Sequence, residues 1–516
     1  MSTRPKFRET TCLDGQWIVP PLQLNNANIF KPILSCRAYF PIEFFQAAFL
    51  TLVNHPEYNS SLILRSDTVW DDDLTIHDAG SENSNNPRPS QRCMLKDHIA
   101  TRSIRRKLLP RRPGRDGSLE QDCIIYRSKY DSHPTVGVLV PQIPHNHGLP
   151  YYHPSVSHLA FRYVHSDTHT DAPEETTQYL IIEVIPLDDS PIDISSRLYR
   201  TCLALLETID RYSWGSANNY KKRVIHDVII PRDEYQDLYL IMKERYKGLV
   251  DVWQESTDPC KHVFEDVGIA TFLMLLWKKT YEYVDPECFD AERPWTLWPR
   301  PSEGFVDLGC GNGILTHILI SEGFKGEGID LRSRHSWSHY PENTRRHLHV
   351  QAFNPFELPP QLKPSIFIIG NHADELTPWV PVVSSILPAS GYLSIPCCPW
   401  DFDSKYERGR GGAFKVPQFD SKSHEHQEFV ESLGFGEAQG ETSYSKYRVW
   451  LAYLSRACGW KLECEMLRIP STRNWAIIGR SRDGEELSGR EVAQNILSAV
   501  SERGMFTPRI PEGKSR

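Results

Sequence analysis

The stretch from Phe305 to Gly313 constrains the fold of this chain more than any other segment. It reads FVDLGCGNG, in which an apolar run ends in an acid and three glycines then alternate with other residues. A helical pattern follows, whose apolar face is formed by Ile314, Leu315, Ile318 and Leu319. Glycine is needed where a tight turn requires positive φ or where a ligand approaches the backbone closely. The pattern therefore predicts a strand, a ligand-binding turn and a helix of an α/β domain.

The glycine spacing distinguishes between two classes of cofactor. In a dinucleotide fingerprint the third glycine lies one residue later than it does here. The pattern D-x-G-x-G-x-G instead resembles the S-adenosylmethionine loop of Rossmann-like methyltransferases, and an acid before the glycines would repel a pyrophosphate. Asp307 can meet the ammonium group of the methionyl part, and Asp330, at the end of the next strand, can bind both ribose hydroxyls. The alternative is that the glycines only form a tight turn.

The predicted cofactor site extends to the ends of the neighbouring strands. The third strand of such a domain ends near the adenine ring, where Phe353 or Asn354 could cap or hydrogen-bond it. A proline turn with a buried phenylalanine is the alternative for this segment. The residues assigned to S-adenosylmethionine are Asp307, Gly309, Gly311, Asn312, Gly313, Asp330, Asn354 and Asn371.

The pattern along the chain predicts two α/β domains. Strand and helix patterns alternate over 300–480, which predicts a doubly wound Rossmann-like domain closed by an antiparallel hairpin. Residues 1–235 carry many short strands and one amphipathic helix, and are predicted to form an N-terminal α/β domain whose topology the pattern does not reveal. Residues 236–299 are predicted to be a helical bridge, and 481–516 a charged, loosely held tail.

Composition excludes several classes of protein. With 58 basic and 66 acidic residues the net charge is -8, so any contact with RNA must come from a local patch. The N-terminus has no apolar segment of signal-peptide length, and the apolar run Ile269–Trp277 is too short to cross a bilayer. The 12 cysteines include no C-x-x-C pair, so we expect reduced thiols, a cytosolic or nuclear compartment and no zinc module.

The loop after the fourth strand supplies candidate proton acceptors. It carries His372, Asp374 and Glu375, and a hydroxyl nucleophile needs a carboxylate or a neutral imidazole to take its proton. The N/D-P-P-Y/F motif, frequent in enzymes that methylate exocyclic amino groups of bases, is absent from this position. Asp374 could instead cap a helix that begins near Leu376, which does not exclude a catalytic role.

The loop after the fifth strand, IPCCPWDFDSKY, allows two interpretations. Cys397 or Cys398 could be the covalent nucleophile of a pyrimidine C5-methyltransferase. Alternatively, the cysteines are packing thiols and Lys405 reaches the substrate. We favour packing, and so assign Lys405 to the catalytic group.

Basic residues form three candidate contacts for a phosphate backbone. The run from Thr101 to Arg115 contains no acid, although a charge run is more often a solvated surface. The insert after Tyr406 and the loop LRIPSTRN provide the other two. The residues assigned to RNA binding are Arg105, Arg106, Lys107, Arg111, Arg112, Arg408, Arg468 and Arg473.

Four segments together resemble the tRNA (uracil-2'-O-)-methyltransferase family, which modifies position 44 of eukaryotic serine tRNA. They are VDLGCGNGILTHILISEGFKGEGIDLRSR, IIGNHADELTPWVPVV, IPCCPWDFDSKYERGR and LRIPSTRN, and the upstream helix KHVFEDVGIATFLMLLW is also similar to family sequence. The resemblance implies methylation of the ribose 2'-hydroxyl of uridine 44 in serine tRNA, with S-adenosylmethionine as donor, in the cytoplasm. It also implies that residues 1–235 bind the tRNA.

Two alternatives to this function stay open. The first is a tRNA pyrimidine C5-methyltransferase that uses Cys397 or Cys398 as nucleophile. The second is a non-catalytic RNA-binding subunit with a methyltransferase-like fold, against which the intact acids and glycines of the cofactor loop argue. Some members of the family carry a C-terminal zinc finger, and this chain has no cysteine after Cys464.

Overall fold

The chain divides into two compact units, Met1–Lys221 and Lys222–Arg516. The structure is a computed structural model, and the residues that it describes are 4–15, 17–75, 94–143, 148–166, 177–187, 190–219, 226–282, 292–406, 414–415, 424–434, 442–483, 486–504 and 506–507. Within this described part, no helix has the length and apolar content needed to cross a bilayer.

The first unit is an antiparallel sheet of eight strands with two long helices. The strands are β1 (Glu9–Thr11), β2 (Lys31–Arg37), β3 (Ile63–Asp73), β4 (His98–Pro110), β5 (Leu119–Ser128), β6 (Pro134–Pro141), β7 (Val156–Ser166) and β8 (Thr177–Pro186), in the spatial order β1-β2-β8-β7-β6-β5-β4-β3. The helices are α1 (Glu43–Asn54) and α2 (Arg197–Ala217), and a short 3-10 helix covers Pro56–Tyr58. Apolar runs at 123–126, 136–140, 159–164 and 179–186 predict strands, which are confirmed as β5 to β8, and the predicted amphipathic helix is confirmed as α2.

Both helices pack their apolar faces on the sheet. Phe49 of α1 and Leu206 of α2 belong to one cluster with inward-facing residues of the strands. Gly137 of β6 permits this approach, since a Cβ atom there would lie 2.5 Å from the ring of Phe49. The antiparallel order follows from consecutive hairpins from β3 to β8, a connection that the strand pattern alone did not identify.

The second unit contains a doubly wound sheet of seven strands. They are β9 (Phe305–Leu308), β10 (Gly326–Asp330), β11 (Leu348–Val350), β12 (Phe367–Asn371), β13 (Gly391–Ile395), β14 (Trp460–Met466) and β15 (Trp475–Arg482), in the order β11-β10-β9-β12-β13-β15-β14. All pairs from β11 to β13 are parallel, and β15 and β14 form the antiparallel hairpin. The predicted Rossmann-like domain with its closing hairpin is confirmed.

Helices cover both faces of this sheet. They are α3 (Arg232–Tyr246), α4 (Pro259–Thr280), α5 (Ile314–Ser321), α6 (Glu342–Arg345), α7 (Trp379–Ile386), α8 (His424–Ser432), α9 (Ser443–Ala457) and α10 (Glu486–Arg503), with 3-10 helices at Lys247–Val250, Pro294–Leu297, His335–His339 and Asp374–Leu376. Successive strand residues point to opposite faces, so Phe305 packs with α3, α4 and α5 while Val306 packs with α7, α9 and α10.

Two parts of the predicted domain plan differ from the structure. The helices predicted as a bridge over 236–299 belong to the second unit, because α4 is buried on all sides from Ile269 to Trp277 and must pack inside a core. The tail predicted to be loosely held over 481–516 contains the end of β15 and helix α10, which buries Ala493, Ile496 and Val500 against the sheet-covering helices. Their spacing of three and four residues is typical of a helix. The charged residues between them led to the prediction of a loosely held tail.

Candidate active site

The strand order reverses between β9 and β12, and the glycine loop lies there at the carboxyl ends of the strands. Gly309, Gly311 and Gly313 have φ of 74°, 55° and 75°, a region that disfavours residues with a Cβ atom. The loop is held from outside, because Trp337 Nε1–H donates to the carbonyl of Gly311 and the Tyr340 hydroxyl donates to that of Asn312, each at 2.9 Å. The loop is therefore a rigid turn before α5.

Asp330 is placed at the glycine loop as the sequence predicted. Its Oδ2 accepts the backbone N–H of Gly311 at 2.9 Å, and its Oδ1 accepts that of Arg332 at 3.1 Å. These bonds fix the carboxylate beside the loop. The position suits an acid that binds the two hydroxyls of a ribose.

Asp307 is buried at the end of β9, with 1% of its surface exposed. Its Oδ2 accepts the Thr316 hydroxyl at 3.1 Å, and its Oδ1 has no partner among the described residues. Burial, with a smaller contribution from the negative charge of Asp330, raises the pKa of Asp307 to about 7 despite the Thr316 bond. A buried carboxylate with an unused oxygen is a site for a cationic ligand group.

Two further acids reach the site from helix α4, and the sequence analysis did not identify them. Asp266 Oδ1 accepts the Asn371 amide at 3.2 Å, and the neighbouring Glu265 Oε1 lies 3.1 Å from His372 Nε2. Burial, followed by the negative charges of Glu265 and Asp307, raises the pKa of Asp266 well above its usual value. Two adjacent acids inside the apolar run VFEDVGIATFLMLLW were the sequence signal that could have found them.

His372 and Glu265 form a hydrogen-bonded pair. Burial acts to raise the pKa of Glu265, but the bonds from His372 and Ser471 and nearby positive charge outweigh it and hold the pKa below its usual value. An ionised carboxylate only accepts, so His372 Nε2 is the donor in this bond. Nδ1 is buried and has no partner among the described residues, and the backbone at His372 has φ of 52°, which is strained for a residue with a side chain.

These groups line a cavity of about 430 Å³ in the second unit. Five segments contribute: the start of α4, the glycine loop with its flanking residues, the end of β12, the loop after β13 and the loop between β14 and β15. The described lining includes Lys261, Glu265, Asp266, Asp307, Gly309, Gly311, Asn312, Asn371, His372, Cys397, Ser471, Thr472 and Arg473. The cavity therefore combines acids near the glycine loop with a histidine and basic residues.

A smaller cavity of about 40 Å³ adjoins the other side of Gly309. Its lining includes Asp330, Gln351, Phe353 and Glu375. Asn354, assigned to the cofactor from the sequence, does not line either cavity, and its side chain instead accepts the backbone N–H of Phe356 at 3.1 Å. The Asn354 side chain thus turns back on its own loop, and Phe353 is the residue of this segment that lines the smaller cavity.

The candidate catalytic residues separate in the structure. His372 lines the larger cavity, whereas Glu375 lines the smaller one on the Asp330 side. Asp374 accepts the Cys397 thiol at 3.3 Å and lines neither cavity. Lys405 is exposed in a bridge with Trp400 and also lies outside both linings. Of the four, His372 is the one that the fold places at the larger cavity.

The paired cysteines differ in environment. Cys397 lines the larger cavity, and burial, followed by the negative charge of Asp374, raises the pKa of its thiol, which opposes the thiolate that a nucleophile needs. Cys398 is exposed. Donor atoms of Asp374, Cys397 and Cys398 lie within 4.8 Å of one another.

The basic residues predicted to bind RNA have different surroundings. Arg106 is 4% exposed and donates to Gln121 Oε1 at 3.0 and 2.6 Å, so the assignment of Arg106 to an RNA surface is wrong. It was mistaken because a strand alternates faces, and the charge run could not show which arginine points inward. Arg105 pairs with Asp122 at 2.7 Å, and Lys107, Arg111 and Arg112 are exposed.

The remaining three arginines also differ. Arg468 makes two hydrogen bonds to Asp227, at 2.8 and 2.5 Å, which fasten the segment before α3 to the closing hairpin. Arg473 lines the larger cavity, with its guanidinium 3.8 Å from the centre of the Tyr444 ring. Arg408 lies outside the described residues.

Comparison with known proteins identifies both units. Residues 10–223 match a family described as "TRM44-like, N-terminal bet v1-like domain", and residues 229–292 and 295–355 match one described as "Predicted AdoMet-dependent methyltransferase". No solved structure matches the chain.

Curated relatives align over most of the chain. Each of the following is called tRNA (uracil-O(2)-)-methyltransferase. The protein from Schizosaccharomyces pombe is 32% identical over 94% of this chain and 91% of its own length. That from Neurospora crassa is 34% identical over 88% and 87%, and that from Saccharomyces cerevisiae 32% over 86% and 85%. The glycine loop, the acids around it and these full-length matches show that the chain belongs to the tRNA (uracil-O(2)-)-methyltransferase family.

Proposed function

We propose that this protein transfers the methyl group of S-adenosylmethionine to the ribose 2'-hydroxyl of a uridine in tRNA, and that the uridine is position 44 of serine tRNA. The observation that carries the proposal is the cavity that holds Asp307 and the glycine loop together with His372 and its partner Glu265. The name shared by the relatives supports the acceptor, and the resemblance in the loops after β12 and β13 supports the position.

The residues present fit S-adenosylmethionine. Asp307 would take the ammonium group at its unpartnered Oδ1, Asp330 would bind the ribose hydroxyls, and Phe353 would contact the adenine. Asp266 adds a further acid, so the cavity favours a cofactor with positive charge and disfavours a pyrophosphate. When bound, the cofactor supplies an electrophilic methyl group on a sulfonium.

His372 is the proposed proton acceptor for the ribose hydroxyl. In this role the imidazole acts in its neutral form: Nε2–H donates to Glu265, the unpartnered Nδ1 takes the proton of the hydroxyl, and Glu265 stabilises the imidazolium that forms. Glu265 is thus a positioning residue that acts through His372. A general base of this kind contributes a factor of about 10² to 10⁴ in rate.

Basic and hydroxyl groups of the same cavity suit the RNA backbone. Lys261, Ser471 and Arg473 line the same cavity as His372. Phosphate contacts position a nucleic acid without reading its sequence. We assign these residues to the phosphates next to the target nucleotide, while the choice of serine tRNA must come from surfaces farther away.

Activity on defined transcripts tests the proposal. The substrates are an unmodified serine tRNA transcript, the same tRNA with 2'-deoxyuridine at position 44, and an alanine tRNA transcript, each with radiolabelled cofactor. We expect methyl transfer to the first alone, and nuclease digestion with mass spectrometry should identify 2'-O-methyluridine. Transfer to the deoxyuridine tRNA, or 5-methyluridine in the digest, would show that the acceptor is wrong.

Variants test the residues. His372→Ala should lower kcat by at least about 10²-fold, and Glu265→Gln by a smaller factor with a changed pH profile, while cofactor affinity stays within twofold in both. His335→Ala, at an exposed histidine of the same unit, is the matched control. A Cys397→Ala/Cys398→Ala protein should stay active. Full activity of His372→Ala would refute its role as base without touching the acceptor.

The proposal places this reaction in the cytoplasm. Every described cysteine is a free thiol, which supports a reducing compartment. Fluorescence microscopy of a tagged protein in the source organism tests this directly, and accumulation in an oxidising compartment would contradict it.

A further inference from the structure

The first unit contains a second cavity, of about 380 Å³, with a composition unlike that of the active site. Its walls are mainly aliphatic and lie between the sheet and helix α2; they include Leu52, Leu108, Leu139, Leu159 and Leu205. Small-molecule sites in proteins have volumes of about 300 to 1,000 Å³ and mainly apolar walls with a few polar groups. The cavity therefore has the size and the lining of a ligand site.

The charged residues in the described lining of this cavity are all basic. Its described lining holds three arginines, Arg106, Arg197 and Arg200, and no aspartate or glutamate. Arg197 and Arg200 are exposed on α2, and the Arg197 guanidinium lies 3.9 Å from the centre of the Tyr151 ring. The Arg200 side chain makes no hydrogen bond or ion pair with the described residues. A concave surface with this potential attracts anions.

Arg106 is the buried cation of the site. Its guanidinium donates to Gln121 Oε1 and to the carbonyls of Leu52 and Val53, which are neutral acceptors. None of its contacts with described residues is to a carboxylate; Glu57 influences it only at longer range and bonds His55 at 3.3 Å. Burial lowers the pKa of this guanidinium, as expected for a cation without a counter-ion.

Two polar side chains near Arg106, those of Gln121 and His153, are neutral and already hydrogen-bonded. Gln121 Nε2 lies 2.8 Å from His153 Nε2, and His153 Nδ1 donates to the carbonyl of Pro154 at 2.7 Å. Burial lowers the pKa of His153 to about 4, so the imidazole is uncharged at neutral pH. Arg106 thus has no carboxylate in contact with it at the wall of an apolar cavity, and an anion bound there would stabilise its charge.

We propose that this cavity binds a small amphipathic anion, with a carboxylate or phosphate ester head at Arg106 and an apolar body against the leucines of the sheet and α2. We infer an anionic head group because the lining holds three arginines and no acid, and an apolar body because the remaining walls are largely apolar. The site lies wholly within the first unit, so the ligand is distinct from the methyl donor.

Isothermal titration calorimetry on the full chain tests the site with three probes below their micelle concentrations: decanoate, decyl phosphate and the uncharged decanol. We expect saturable binding of both anions with one site per chain. Each should bind at least about tenfold more tightly than decanol, because a hydrogen bond to a charged group carries that much discrimination. The two anionic probes also show which head group the site prefers.

Three variants localise the binding. Arg106→Met should remove the preference for anions and leave decanol affinity unchanged. Ala204→Trp, at an exposed position on α2 that lines the cavity, should block all three probes without leaving a buried polar group unpaired. Arg102→Gln, on the same strand as Arg106 but paired with Asp71 outside the cavity, is the matched control and should bind like the wild type. If Arg106→Met does not fold, Ala204→Trp still decides the location.

Several outcomes would overturn the proposal. They are a lack of saturable binding by either anion, equal affinity for decanol and decanoate, or unchanged binding in folded Ala204→Trp. In a fourth outcome the amphiphiles do not bind, whereas uridine 5'-monophosphate binds to the wild type and not to Ala204→Trp. The cavity would then hold a nucleotide of the RNA.

Discussion

Replacing Asp307 with asparagine tests the electrostatics of the cofactor site. The pKa of Asp307 is raised to about 7 by burial, against an ordinary aspartate value of about 3.9. The folded apo protein therefore holds this proton more tightly than the unfolded chain does. Ionisation of Asp307 therefore destabilises the folded apo protein. This destabilisation is absent below about pH 4, grows as pH rises and reaches about 4 kcal/mol near pH 7.

In the proposed binding mode the ammonium of the cofactor pairs with the ionised form of Asp307, so binding must displace that proton at low pH. Affinity for S-adenosylmethionine should therefore fall by about 25-fold between pH 7.5 and 5.5. Asp307→Asn should bind about 10- to 100-fold more weakly at pH 7.5, because a charged hydrogen bond is lost, and its affinity should be almost independent of pH. The two proteins should thus differ little at pH 5.5.

Calorimetric titration of S-adenosylmethionine at five pH values measures both curves, and a thermal melt of the apo proteins at the same pH values measures stability. Measurements stop at pH 7.5 because an α-amino group begins to lose its own proton near there. Asp330→Asn is the matched control, which should lose affinity but keep the pH slope with a slightly lower midpoint. A wild-type affinity that is flat across this range, or an equal slope in Asp307→Asn, would refute the reasoning.

Three further predictions concern the described surroundings of the site. In filter-binding assays over a salt series, Arg473→Gln should weaken tRNA binding and reduce the slope of log K against log salt by about one unit. Arg468→Gln is the control, which should leave this slope unchanged but lower the melting temperature. Val500→Asp, at a fully buried position of α10, should destabilise the protein by more than about 3 kcal/mol in thermal melts, while the exposed neighbour Ser501→Asp should have little effect. Glu322→Ala should cost at least about 2 kcal/mol, because the fully buried carboxylate accepts the Tyr246 hydroxyl at 2.6 Å and the Trp295 Nε1–H at 2.8 Å, and its loss would leave both buried donors without this acceptor; a melt within 1 °C of the wild type would contradict this.

The parts of the fold that the sequence predicted are those set by local periodicity. Apolar runs gave the five parallel strands and the closing hairpin of the second unit, and glycines with Asp330 located the cofactor loop. The order of the first unit's strands was not predictable, since antiparallel neighbours are chosen by packing across distances that a local window does not cover. The helix α10 was missed for a related reason. Its apolar stripe is narrow, and only the packing against other elements shows that the stripe is buried.

The sequence by itself determined that this chain carries the methyl-donor loop of its family, with Asp307 and Asp330 on either side of the glycines. Backbone turns and short spacings are local properties, so the residues that form them can be read in order. Only the tertiary structure decided which distant side chains meet there: α4 brings Glu265 to His372 and Asp266 to Asn371, and β4 turns Arg106 into an apolar cavity instead of toward solvent. Burial and proximity arise from the packing of whole elements, and they change the charge and the chemistry of residues whose local sequence looks ordinary.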